Sequence, residues 1–95
     1  MPLLTIMAKF IIKQNAYKDV LGELITLVEP TRLEKGCVDY IFYEDLEDQS
    51  VIMLYENWET VEDLNAHMNT KRFKDCFAKI DGLYEIEVHR ATRIS

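Results

Sequence analysis

Glycine, proline and cysteine are all scarce in this 95-residue chain, which has three, two and two of them. Gly22, Gly36 and Gly82 are too dispersed to form a phosphate-cradling loop, so there is no P-loop and no dinucleotide fingerprint. Cys37 and Cys76 form no CxxC pair, which argues against a disulfide framework and a zinc ribbon. They read as small apolar fillers with reduced thiols, and the expected location is cytoplasmic. EF-hand, HExxH and GxSxG patterns are missing, and no metal or cofactor is expected. No apolar run approaches the roughly 18 residues of a membrane span. No basic start leads to a small-residue cleavage site, so neither a span nor a leader is expected. Positive charge is in deficit too: 11 Lys and Arg stand against 17 Asp and Glu, a net charge of −6. That balance disfavours nucleic acid and anionic membrane as main partners, since both select basic patches.

What is abundant is apolar side chain. Hydrophobic residues make up 48% and charged residues 29%, the profile of a folded domain, and the length allows one domain over residues 1–95. Residues 3–12 read as a strand with Leu4, Ile6, Ala8, Phe10 and Ile12 on one face. Asn15 is the expected N-cap of a helix whose stripe is Tyr17, Val20, Leu21, Leu24, Ile25 and Val28. Pro30 is expected to end or kink it near Val28 or Glu29, with a further turn before Gly36. Residues 37–44 and 50–58 form two strands around a polar turn, an antiparallel hairpin. Thr60 caps a second helix with Asp63 at the third position, and Thr70 recaps a second helical piece ended by Gly82. Residues 84–94 alternate as a last strand. The resulting order, β-α-β-β-α-β, predicts an α+β, ferredoxin-like fold: a four-stranded antiparallel sheet with helices on one face.

Two helices cover one face of such a sheet, so the other should be polar. The first and third strands break that rule. Ile52, Leu54 and Trp58 share one face of the third strand, yet Val51, Met53 and Tyr55 occupy the other. The expected cover is the same face of a second copy, giving a homodimer through the open sheet face. Loops and the C-terminus are the alternative cover.

One constellation carries chemistry: Glu56 and Trp58 on one strand face, and His67 on the helix that follows. His67 lies beside the Val61–Leu64–Met68 stripe, a position at a pocket rim. A histidine there either accepts a proton near neutral pH or has no chemical role. Trp58 is either core or a flat wall for an aromatic substrate. Glu56, if buried, needs a partner, and Lys9 or Arg72 is the expected one. His89 reads as structural or solvent-facing.

These residues fall into an ordered set. Glu34-Lys35-Gly36-Cys37-Val38-Asp39-Tyr40, Glu56-Asn57-Trp58-Glu59, Leu64-Asn65-Ala66-His67 and Thr70-Lys71-Arg72-Phe73 resemble the antibiotic biosynthesis monooxygenase domain, over nearly the whole chain. The resemblance implies a dimeric α/β barrel. It also implies oxidation of a quinol or other electron-rich aromatic by O2 without metal or flavin. Trp58 would then be the aromatic wall and His67 the polar partner, both counted as catalytic, with Tyr40, Phe42, Glu56 and Phe73 binding the substrate. Leu54 stands where polyketide-oxygenating members have Asn. Phe77 and Phe10 stand where haem-degrading relatives have an axial His and an Asn, so haem ligation is not expected. The stretch with His67, Thr70, Lys74, Cys76, Ala78, Lys79 and Leu83 is also similar to phospho-autoinducer-2 isomerases. That likeness implies a small phosphorylated ketone held by Lys71, Arg72 or Lys74, with His67 moving the proton. A non-catalytic small-molecule-binding dimer is the third alternative.

Overall fold

A computed structural model describes residues 2–95. The elements are β1 (Leu4–Ile12), α1 (Tyr17–Ile25), α2 (Val28–Arg32), β2 (Cys37–Glu44), β3 (Val51–Trp58), α3 (Val61–Met68), α4 (Lys71–Lys79) and β4 (Tyr84–Ala91). The strands form one antiparallel sheet in the order β2-β3-β1-β4. This is the expected ferredoxin-like βαββαβ arrangement, with each helical segment split in two.

The splits have local causes, and two differ from the sequence reading. Asn15 does not cap α1. It adopts a left-handed φ of 68°, and Ala16 takes the cap position without a side-chain bond. Asparagine tolerates that conformation better than most residues, and here the turn needs it more than the helix needs a cap. Pro30 does not end the first helical segment either. That segment tightens at Thr26 and Leu27, whose N–H groups reach back to Glu23 and Leu24. Pro30 sits in the first turn of α2, where no intrahelical donor is required of it. Thr60 and Thr70 cap α3 and α4 as predicted, accepting from the N–H groups of Asp63 and Phe73.

The inner face of β1 and β3 is buried beneath the helices. Phe10, Ile52 and Leu54 pack with Val20, Leu24 and Leu27 of the first helical segment and with Cys76 and Ile80 from α4 and its end. Each large apolar side chain withdrawn from water in this way contributes about 1.5–3 kcal/mol. Ile6, Trp58 and Leu64 form a smaller cluster beside it, close to the start of β2. Ile86, Val88 and Arg90 of β4 lie in register with inward-facing Phe10, Ala8 and Ile6, but they stay exposed. That uncovered edge is where the inner face opens.

Candidate functional site

Between β4 and the α3–α4 pair the inner face lines an open-sided pocket of about 450 Å³. Phe10, Leu54, Phe73, Phe77, Ile86 and Val88 supply an apolar wall, and Tyr40, Glu56, His67 and Arg90 supply its polar groups. β3 delivers Glu56 because the strand period of two keeps it in line with Leu54 and Trp58. α3 delivers His67, and the Thr70 hydroxyl ties the helix end by donating to the His67 carbonyl at 2.8 Å.

His67 is not at a rim. It is 3% exposed, its ring lying 4.9 Å from Trp58, 5.1 Å from Phe73 and 5.6 Å from Tyr40. A helical wheel of α3 alone cannot show this, because α4 and the residue 33–36 loop supply Phe73 and Glu34 against it. Nδ1 lies 2.8 Å from Glu34 Oε1, and the Arg72 guanidinium donates to Glu34 Oε2 at 2.8 Å. Burial pushes the imidazole below its ordinary pKa, with Arg72 helping and Glu34 opposing, so the ring is neutral at pH 7.

Glu56 is paired differently from the sequence expectation. Its Oε1 accepts the Trp58 indole N–H at 2.9 Å. Lys9 lies on the opposite face of β1, and Arg72 is engaged by Glu34. Burial raises the Glu56 carboxyl to about 7, with the Glu34 charge adding to the rise and the indole bond opposing it. Tyr40 is also raised, chiefly by burial, and remains a hydroxyl at neutral pH. Glu56 and His67 thus bring two titratable groups to one apolar space.

Tyr40, Glu56, His67 and Phe73 come together at the cavity, while Trp58 and Phe42 stand outside its lining. Trp58 is fully buried behind Glu56 and His67 and therefore holds the site from the rear rather than forming its wall. Phe42 packs edge-on to Tyr40 at 5.5 Å and against Phe10 at 6.4 Å. Lys71, Arg72 and Lys74, the cations expected at a phosphate, do not line the cavity. Lys71 pairs with Asp75 and Arg72 with Glu34. The sequence reading did not assign roles to Glu34 and Arg90. Glu34 needed the α2–β2 loop to meet α3, and Arg90 needed the β1–β4 register. Alternation along β4 was the one signal that could have placed Arg90 inward.

Both thiols are pushed up to about 11, mainly by burial, and stay protonated, as suits apolar fillers. Among the described residues no group of three His, Cys, Asp or Glu is placed to hold a metal ion, and no helix is long and apolar enough to cross a membrane.

Known proteins share this architecture. A Pseudomonas aeruginosa protein superimposes with a TM-score of 0.95 at 25% identity, over 100% of this chain and 97% of its own. A crystal structure described as an antibiotic biosynthesis monooxygenase gives 0.89 at 26% identity, over 97% and 99%. An uncharacterized Synechocystis protein is 28% identical over 83 residues, 83% of this chain. The chain spans 56% of that curated relative's length. The family model described as antibiotic biosynthesis monooxygenase matches residues 3–79. With that match over most of its length, the chain belongs to the antibiotic biosynthesis monooxygenase family.

Proposed function

We propose that the chain is a cofactor-independent monooxygenase that oxidises a quinol or similar electron-rich aromatic with O2. The observation that carries the reading is the pairing of Glu56 and His67 on one apolar cavity large enough for a small aromatic molecule. Membership of the family supports it.

An ionised quinol is itself a reductant of O2, so the protein's task is to create and hold the anion. His67, neutral at pH 7, accepts the hydroxyl proton, and Glu56 in its ionised fraction is a second acceptor. Arg90 at the open edge favours the resulting negative charge, and the apolar lining keeps water from competing for it. The ring then gives electrons to O2, a carbon–oxygen bond forms, and the O–O bond breaks. One oxygen stays on the ring and the other leaves as water: a quinol and O2 yield a hydroxyquinone and H2O. The four electrons accepted by O2 all come from the substrate.

The working unit in this reading is a homodimer. Met7, Tyr43, Met53 and Tyr55 lie exposed on the outer sheet face, an apolar surface that suits a second copy of itself.

Oxygen uptake by purified protein with a panel of substituted quinols is the test. Uptake that falls about 100-fold or more in His67→Ala is expected. Absence of uptake across the panel, or uptake indifferent to both His67→Ala and Glu56→Gln, would overturn the proposal.

A further inference from the structure

The buried imidazole of the cavity is tied to the surface by two charged groups from distant parts of the chain. Glu34 comes from the loop between α2 and β2, His67 from α3, and Arg72 from the first turn of α4. Both links are 2.8 Å long. Side-chain exposure rises along the series, from 2% at His67 through 14% at Glu34 to 49% at Arg72. A carboxylate oxygen only accepts, so the proton of the His67–Glu34 bond belongs to Nδ1. In a neutral ring the lone pair then sits on Nε2, for which no hydrogen-bond partner occurs among the described residues. Glu34 does not line the cavity and His67 does, so the side of the ring away from Glu34 is the side a ligand meets.

We infer that Glu34 is a positioning residue: it selects the Nδ1–H tautomer of His67 and presents the Nε2 lone pair to the cavity, while Arg72 holds the Glu34 carboxylate in place. The inference rests on the reading of the cavity as a site where a proton is removed. The physical gain is twofold. The ring cannot rotate or change tautomer without losing its bond to Glu34. When Nε2 takes a proton, the positive charge forms beside a carboxylate that is already oriented. The titratable and charged groups facing the imidazole are Glu34 from the loop, Arg72 from α4, Tyr40 from β2 and Glu56 from β3. Of these, only Glu34 touches a ring nitrogen.

The chain has two histidines, so long-range 1H–15N spectra of labelled protein resolve the question directly, with exposed His89 as internal reference. Wild-type His67 is expected as a single Nδ1–H tautomer in the neutral range. Glu34→Ala releases it to the Nε2–H form or a mixture, and moves its titration to lower pH. Glu34→Gln keeps an acceptor oxygen and therefore the tautomer, but loses the charge and shows the same downward move. A wild-type His67 carrying its proton on Nε2, or a tautomer unchanged in Glu34→Ala, overturns the inference. If Glu34→Ala does not fold, the wild-type spectrum together with Glu34→Gln decides. With a quinol that supports oxygen uptake, Glu34→Ala should lower kcat about 10–100-fold with KM nearly constant, and Glu34→Gln should recover part of it. A preserved tautomer effect without uptake from any quinol removes the proposed function and leaves the positioning role. Uptake with a wrong tautomer does the reverse.

Discussion

Along β1, Ile6, Ala8 and Phe10 are 6%, 6% and 1% exposed, while Met7 between them is 46% exposed on the outer face. β3 repeats the contrast, with Ile52 and Leu54 buried and Met53 and Tyr55 open. Both faces are apolar; the helices cover the inner one, while the outer one is buried at the β3 ends, at Val51 and Asn57, and open in the middle. The inner face can therefore hold buried polar groups such as Glu56 and His67, each with a partner inside the fold. The outer face carries a polar network at one end. There the Asn57 amide bridges the Thr5 hydroxyl, the Asp39 carboxylate and the Tyr55 hydroxyl. Buried titratable groups gather on the inner face, and exposed apolar surface is left on the outer one.

The contrast can be broken most severely from inside. Trp58→Ala opens a cavity behind Glu56 and His67 and removes the indole that holds Glu56. It should cost about 3–5 kcal/mol in urea unfolding. A loss comparable with that of a surface substitution would show that the rear of the site is not structurally coupled to the core.

Second in size is the pH dependence of the inner face. The folded Glu56 carboxyl stands at about 7 against an ordinary 4.5. Its contribution is present below 4.5 and is lost as pH rises through 7. Glu56→Gln removes that loss, and the variant should exceed wild type by up to about 3 kcal/mol above roughly pH 8. His67 runs the opposite way: with its pKa lowered, its contribution is present above 6.5 and is lost as pH falls through the folded value. Unfolding curves from pH 4 to pH 9 for wild type, Glu56→Gln and His67→Gln separate the two. A flat wild-type minus Glu56→Gln difference would refute the burial of an ionisable Glu56.

A smaller effect is expected at Gly36, where β2 begins beneath α3. Its φ is +81°, and a Cβ would overlap the Asp63 carboxylate. Gly36→Ala should lose about 1–3 kcal/mol by thermal or urea unfolding, and Gly22→Ala, on an open helix surface, should lose nothing.

The outer face should give the smallest change per chain and the clearest change in assembly. Met7→Lys with Met53→Lys should alter single-chain stability by less than about 0.5 kcal/mol per site. In sedimentation the wild type should run at the mass of two chains and the double variant at one. The melting temperature of the wild type should rise with protein concentration and that of the variant should not. A wild-type mass of one chain would end the homodimer proposal.

Much of this fold is written locally. The strand runs and the Thr60 and Thr70 caps depend on neighbours within a few residues, and they stand where the sequence puts them, except that β4 stops at Ala91 instead of running to residue 94. Asn15 and Pro30 also act locally, but each is compatible with two backbone outcomes, and the packing of α1 and α2 chose between them. Within the site, Glu56 and His67 follow from their places on the third strand and the next helix, and Tyr40 and Phe73 from the family resemblance. The place of Trp58 behind the cavity and the entry of Phe77, Ile86 and Arg90 into its wall depend on how α4 and β4 meet β1. No spacing within one element encodes that meeting.

The order of elements, the Thr60 and Thr70 caps and the apolar residues on both sides of β1 and β3 are legible in the sequence, because they rest on backbone periodicity and on near neighbours. Packing of α3 and α4 against the residue 33–36 loop buries His67 and joins it to Glu34, which Arg72 holds, and it leaves Glu56 to its strand neighbour Trp58 rather than to a lysine or arginine. Burial and hydrogen bonding are properties of what surrounds a side chain. For His67 the surroundings include residues far away in the chain, such as Glu34 and Tyr40.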